Sequence, residues 1–274
     1  MSHDAGMLSG GSAFVKSLYW YGEPRMDEEL NFLFGINPVL EKLKATPNDI
    51  AEILIAKGFS ALALQTIEVR ARRLKLPVQY VVPELLDQLS DGQRHQGVVA
   101  KVKVYSYSAF SDLLNAVPSF SELIWILILD GLTDPRNFGA LLRTAEAVGV
   151  HHVVIPKDRA VAVTPTVVKA SAGAVHYLKI YRETNLRRVI LKLKELGFWI
   201  VGLDPKAAET IHERVYSQRL GIVLGSEGEG IRPLILRECD YLVSIPMRGK
   251  IASLNVSVAG AVFLYELLRQ ARSH

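Results

Sequence analysis

Cysteine is almost missing from this chain: Cys239 is its single representative in 274 residues. One thiol cannot close an internal disulfide or build a cysteine-based metal site, which fits a reducing cytoplasmic setting. Long apolar runs are missing too. The longest, residues 123–129, is far below the ~18–20 residues of a membrane span and reads as a buried strand. The opening MSHDAGMLSGGS has neither the basic start nor the apolar stretch of a signal peptide and reads as a leader. No second histidine stands at metal-ligand spacing from His95, so no metal is expected. No unit repeats at a period of ~20–50 residues. What is present is 49% hydrophobic and 22% charged, enough to bury a sizeable core. The net charge of +4 is compatible with an anionic partner without specifying one.

Punctuation divides the sequence into a leader (1–31), a small α/β unit (32–104), a linker (105–122) and a larger α/β unit (123–274). In the small unit, Asn37-Pro38 opens an apolar helix, with Pro38 suited to a first helical turn. Strand patterns at 50–56, 78–82 and 97–104 alternate with helical ones at 60–75 and 83–89, which predicts a three-layer α/β unit. Residues 105–122 turn polar and serine-rich, with a short helical stretch at 110–115. The larger unit opens with an apolar run at 124–129, of the kind found in a strand covered on both faces. Further runs at 152–155, 198–203, 220–224 and 241–245 alternate with helical patterns at 137–148, 165–172, 185–196 and 256–269. This pattern predicts a parallel sheet of five or six strands.

Three loops follow predicted strands, where α/β sheets bind their ligands. The first runs from Asp130 to Gly139; Asn137 can cap the next helix, and Arg143 follows Gly139 by one turn on its face. An arginine on the buried side of a helix start suits an anionic group. The second, Leu224-Gly225-Ser226-Glu227-Gly228-Glu229-Gly230, opens the backbone to close approach. It has neither the dinucleotide spacing nor the Lys-Ser/Thr ending of a phosphate loop, and its glutamates repel a diphosphate but favour a sulfonium. The third runs from Ile245 to Ala259 and carries Ser253-Leu254-Asn255 ahead of a small-residue helix.

Together these loops resemble the three signature motifs of the SpoU/TrmH branch of the SPOUT RNA methyltransferases. Asn137, Gly139 and Arg143 match the first, Leu224 to Gly228 with Gly230 the second, and Ile245-Pro246-Met247, Gly249 and Ser253 to Ala259 the third. Phe34 to Leu40 and Arg94 to Ala100 resemble the two ends of an L30e-like substrate-binding domain. The resemblance implies a C-terminal parallel-sheet domain with a deep trefoil knot, a smaller N-terminal L30e-like domain and a homodimer whose interface builds the active site. It implies S-adenosylmethionine as methyl donor and a ribose 2′-hydroxyl of RNA as acceptor, with 23S rRNA expected.

By the same resemblance Gly225, Ile245 and Leu254, with Met247 and Ser253, hold the cofactor, while Arg143, Asn137, Glu227 and Asn255 form the catalytic set. The family assigns Arg143 as a catalytic group, sometimes a base. A guanidinium of pKa above ~12 resists that, so phosphate holding and charge stabilisation suit it better. Arg94 and His95, with Arg72 from an otherwise solvated basic cluster (Arg70, Arg72, Arg73, Lys75), are the RNA-contact candidates. Three other readings stay open: a tRNA substrate, a non-catalytic RNA-binding assembly protein, and a nucleotide-dependent enzyme.

Overall fold

The computed structural model describes residues 30–59, 61–119 and 123–271. The predicted leader lies outside the described residues except for its last two, which begin the first strand. That unit comprises β1 (Leu30–Phe34), α1 (Ile36–Ala45), β2 (Ile50–Ala56), α2 (Leu62–Arg73), β3 (Val78–Val81), α3 (Pro83–Leu89) and β4 (Val98–Lys103). Its strands run in the order β1-β4-β2-β3, with β4 antiparallel to both neighbours and β3 parallel to β2. Successive strand residues face opposite ways. Leu33, Ile53, Ile55, Val98 and Ala100 pack with Val39, Leu43, Leu64 and Ile67 of α1 and α2. Phe34, Leu54, Ala56 and Val99 pack with Leu86 of α3. The sequence reading missed β1, whose outer residues are exposed, and found the rest.

The larger sheet has seven strands, all parallel, in the order β7-β6-β5-β10-β8-β11-β9. They are β5 (Ile124–Asp130), β6 (His152–Pro156), β7 (Lys179–Glu183), β8 (Trp199–Leu203), β9 (Glu209–Thr210), β10 (Arg219–Gly225) and β11 (Tyr241–Ser244). Helices α4 (Phe110–Ala116), α5 (Pro135–Ala147), α6 (Pro165–Ala170), α7 (Leu186–Glu195), α8 (Pro233–Leu236) and α9 (Val256–Ala271) complete the unit. All seven residues of β5 are buried, as its uniform apolar run requires. Trp125, Leu127 and Leu129 meet Phe138, Leu141 and Leu142 of α5 and Phe263, Leu264 and Leu267 of α9. Ile124, Ile126 and Ile128 meet Phe110 and Leu113 of α4, Val189 and Leu193 of α7, and Ile235 of α8. Each such buried side chain contributes about 1.5–3 kcal/mol from apolar burial. The count exceeds the five or six strands expected because β7 and the two-residue β9 carry no uniform apolar run.

Residues 105–119, within the segment expected as a linker, pack against the larger unit. Tyr105 donates to the Leu178 carbonyl, Tyr107 Oη accepts from the Val163 amide, and Ser108 bridges to Tyr181. Phe110, Leu113 and Val117 then enter the core of the larger sheet. Serines at the surface masked an apolar underside, so the segment is a packed covering layer.

The two units also touch directly. Lys169 Nζ of α6 donates to the Arg94 carbonyl and stands 4.9 Å over the Phe34 ring. Tyr177 donates to Glu41, whose Cβ presses against Gly173 so closely that a side chain there would overlap it. Beside this contact, buried Lys42 pairs with Asp49 at 2.6 Å. His176, in the turn Ala174–Tyr177, has its pKa pushed down to about 4 by burial and then by Lys42. Its Nε2 has no hydrogen-bond partner among the described residues. A histidine kept neutral by folding holds its full stabilising contribution above its ordinary 6.5 and loses it as pH falls toward about 4. The unfolding midpoint is therefore expected to drop across that window, and a His176→Gln variant to drop less, as followed by circular dichroism at stepped pH.

Candidate active site

The strands β5 and β10 lie side by side, so the loops after them leave the same edge of the sheet, and the chain after β11 returns to meet both. A buried carboxylate fixes this meeting point. Asp130, the last residue of β5, has a fully buried side chain. It accepts from the Arg232 backbone N–H at 2.8 Å and from Arg232 Nε at 2.7 Å, with Nη2 2.6 Å away. The chain leaving β10 is thereby clamped onto the end of β5. Residues 226–230 close into a tight loop, since Ser226 and Gly230 exchange both backbone hydrogen bonds at 3.0 Å. Gly225 is dictated by that closure: a Cβ there would lie 2.0 Å from the Gly230 carbonyl carbon. Its bareness therefore serves the loop's own packing, where the sequence suggested only ligand approach.

The helix α5 begins two residues earlier than expected. Asp134, not Asn137, is its cap: the Asp134 side chain accepts from the Asn137 backbone N–H at 2.8 Å, with Pro135 in the first turn. Relieved of capping, the Asn137 side chain turns to the other loops. Asn137 Nδ2 donates to Glu227 Oε1 at 2.5 Å, and Asn255 Nδ2 donates to the same oxygen at 2.7 Å. Asn255 Nδ2 also reaches Asn137 Oδ1 at 3.1 Å. Ser257, which the sequence reading left out of the site, donates to Asn137 Oδ1 and Asn255 Oδ1 at 3.3 and 2.7 Å. Asn255 Oδ1 also accepts from the Ser257 N–H and so caps α9. Ser257 lies within the third motif, but its spacing from Asn255 is that of any helix start, so it is not singled out there as a site residue.

Arg143 stands apart from this cluster. It is exposed, not on the buried side as expected, and makes no hydrogen bond or ion pair among the described residues. Gly139, one turn earlier, is instead packed against α6: a Cβ there would lie 2.4 Å from Ala170 Cβ.

Ile245 is half-buried against the core, Leu254 is half-buried, and Met247 and Ser253 are exposed. Between Pro246 and Leu254 the backbone makes no hydrogen bond among the described residues, so its polar groups are open to water or a ligand. Arg94 is exposed on the loop before β4. His95 is buried beneath it, its Nδ1 accepting from the Gly97 N–H and its Nε2 3.0 Å from Asp87. Both ring nitrogens are thus engaged within the chain. Arg72 lies on the exposed last turn of α2, with no contact to Arg94 among the described residues.

A seven-stranded parallel sheet whose three post-strand loops are tied by an Asn–Glu–Asn–Ser network defines an α/β enzyme class, and comparison with known proteins gives the class its name. The chain belongs to the SpoU rRNA methylase family, whose model matches residues 125–265. Residues 32–108 match the RNA 2′-O ribose methyltransferase substrate-binding model. Among relatives, the chain is 42% identical to YacO of Bacillus subtilis, named as a TrmH family tRNA/rRNA methyltransferase, over 89% of this chain and 98% of that one. It is 43% identical to the 23S rRNA (guanosine-2′-O-)-methyltransferase RlmB of Bordetella pertussis, over 87% and 96%. The SpoU methyltransferase AviRb of Streptomyces viridochromogenes, solved with AdoMet, shares the fold at a TM-score of 0.73 and 24% identity, covering 88% of this chain and 90% of that one.

Removing the clamp tests the construction of the site. Arg232→Ala leaves Asp130 buried without its ionic partner and is expected to cost about 1–3 kcal/mol in urea denaturation, since a buried charged acceptor loses its donor.

Proposed function

We propose that this chain transfers the methyl group of S-adenosylmethionine to a ribose 2′-hydroxyl of RNA, the substrate being a guanosine of 23S ribosomal RNA. The observation that carries the reading is the Asn137–Glu227–Asn255 network at the sheet edge, in a chain of this family. Relatives named for that activity match along nearly their whole length. YacO, named for both tRNA and rRNA, makes a tRNA the alternative substrate.

S-adenosylmethionine, when bound, supplies an electrophilic methyl group on a positively charged sulfur. The residues we assign to hold it are Gly225, Ile245, Met247, Ser253 and Leu254. The open backbone of residues 246–254 suits recognition of adenine edges by main chain, and Ile245 and Leu254 offer it apolar surface. The carboxylate of Glu227 lies at the same edge and favours a cation nearby.

Methyl transfer needs the ribose oxygen held in line with the methyl carbon. Asn137 and Asn255, both oriented by Glu227, present amide groups for that positioning. Arg143 keeps its proton and acts as a charge, gripping the neighbouring phosphate and stabilising negative charge as it develops on the oxygen. Because Arg143 makes no contact with the network of its own chain, we assign it to a site completed by a second copy. The exposed stripe Val258, Val262 and Tyr265 on α9, spaced to share one helix face, supports such a homodimer. We extend the reading to a trefoil knot formed around β10, which lies between β5 and β8, and to a cytoplasmic location where ribosomal RNA is available.

Arg143→Ala is expected to lower single-turnover methylation of rRNA fragments roughly 10²–10³-fold while calorimetry finds S-adenosylmethionine affinity unchanged. Unaltered turnover would remove Arg143 from the catalytic set. Mapping 2′-O-methylation of total RNA with and without the gene decides the substrate, because loss of a tRNA site instead of a 23S site would overturn the rRNA assignment. Sedimentation of the full chain is expected to give a dimer, and a Val262→Lys variant to shift it toward monomer with loss of turnover.

A further inference from the structure

An open cavity lies on the small unit, away from the sheet edge. It is a solvent-open depression of about 420 Å³, lined by Phe59, Asp87, Gly92, Gln93, Arg94, His95 and Gln96. That size lies within the ~300–1,000 Å³ of small-molecule sites. Its chemistry is specific. Phe59 is half-exposed, with one flank fixed against Gly97 and tilted at 47° to the His95 ring, so it can offer aromatic surface to the cavity. The Gly97 N–H donates to His95 Nδ1, which leaves Nε2 as the protonated nitrogen, donating to Asp87 Oδ1. Asp87 Oδ2 has no hydrogen bond among the described residues, and the side chain is 63% exposed. Arg94 is exposed at the rim, while its carbonyl is held by Lys169 from the methyltransferase unit.

From this arrangement we infer that the cavity receives one unpaired guanine of the RNA, stacked on Phe59, read by the Asp87 carboxylate and held by Arg94 at its phosphate. The inference rests on the RNA reading above and deepens it. An ionised carboxylate only accepts hydrogen bonds. Of the four bases, guanine alone turns two adjacent N–H donors, N1–H and N2–H, toward a single acceptor pair. Unpaired bases are the elements of RNA that proteins read by aromatic stacking and edge contacts. His95 acts here as a positioning residue, fixing the Asp87 carboxylate from below. The Lys169 contact ties the reading loop to α6, which packs against α5, the helix that carries Arg143.

The test uses the full chain and four labelled RNA hairpins that differ only in one bulged nucleotide, with a fully paired hairpin as reference, by fluorescence anisotropy at fixed salt. The guanine bulge is expected to bind about tenfold tighter than the other three, the usual worth of a bidentate base contact. Asp87→Asn, which can still accept from His95, is expected to erase that preference while leaving the adenine bulge unchanged. Phe59→Ala is expected to weaken all bulged hairpins about tenfold, as loss of a stacking surface does, and to spare the paired one. Equal affinity for the four bulges, or a Phe59→Ala variant that binds like the parent, would overturn the proposal. S-adenosylmethionine binding by calorimetry reports folding of each variant. If the parent failed to bind it, the methyl-transfer reading would fall while a guanine preference would still stand.

Discussion

A fully buried carboxylate at the end of a central strand governs the arrangement of the edge where the three loops meet. The Asp130 side chain is fully buried, where an ionised group without partners is costly. Arg232 meets that requirement through three donors, one from the main chain and two from the side chain. The consequence is geometric. Once Asp130 must be met, the chain leaving β10 has to cross the end of β5, and the Ser226–Gly230 loop is held where Glu227 faces Asn137. An interior need for charge compensation thus sets the position of an exterior polar network.

Within that network the chemistry is asymmetric. Glu227 can only accept, so the two amides that approach Oε1 must both present nitrogen. This fixes the Asn137 carbonyl oxygen toward Asn255 and Ser257, and fixes the Asn255 carbonyl oxygen toward the start of α9. One carboxylate therefore sets the donor and acceptor direction of two asparagines that lie 118 residues apart in the chain. Such preorganisation suits a reaction that depends on alignment more than on proton transfer by a strong base.

Much of this was legible in the chain. The uniform run 124–129, the sequence of strand and helix patterns, and the three post-strand loops led to the sheet and to the edge where those loops meet, because uniform burial and glycine punctuation are written locally. Other features depend on distant partners and left no local trace. Asp130 was visible as the end of a strand, but its need for Arg232 arises only when residues 102 apart in the chain meet. The helix cap was assigned to Asn137 because asparagine caps well; Asp134 takes the role because Pro135 fits the first turn behind it. The spacing from Gly139 puts Arg143 on the buried side, but the glycine's face is filled by α6 and Arg143 itself is exposed. Ser257 joins the network through a cap that sequence spacing cannot distinguish from any helix start.

The packed covering layer of residues 105–119 bears on how large substrates are engaged. A loose tether would let the front unit search a volume around the methyltransferase unit, and each binding event would then have to restrict that motion. Here Tyr105, Tyr107 and Phe110 hold the connection against the second sheet, and Lys169 and Tyr177 hold the units together from the other side. The restriction is made during folding, before any RNA arrives. The two units are thus braced together, their spacing set by packed side chains instead of by the length of a free tether.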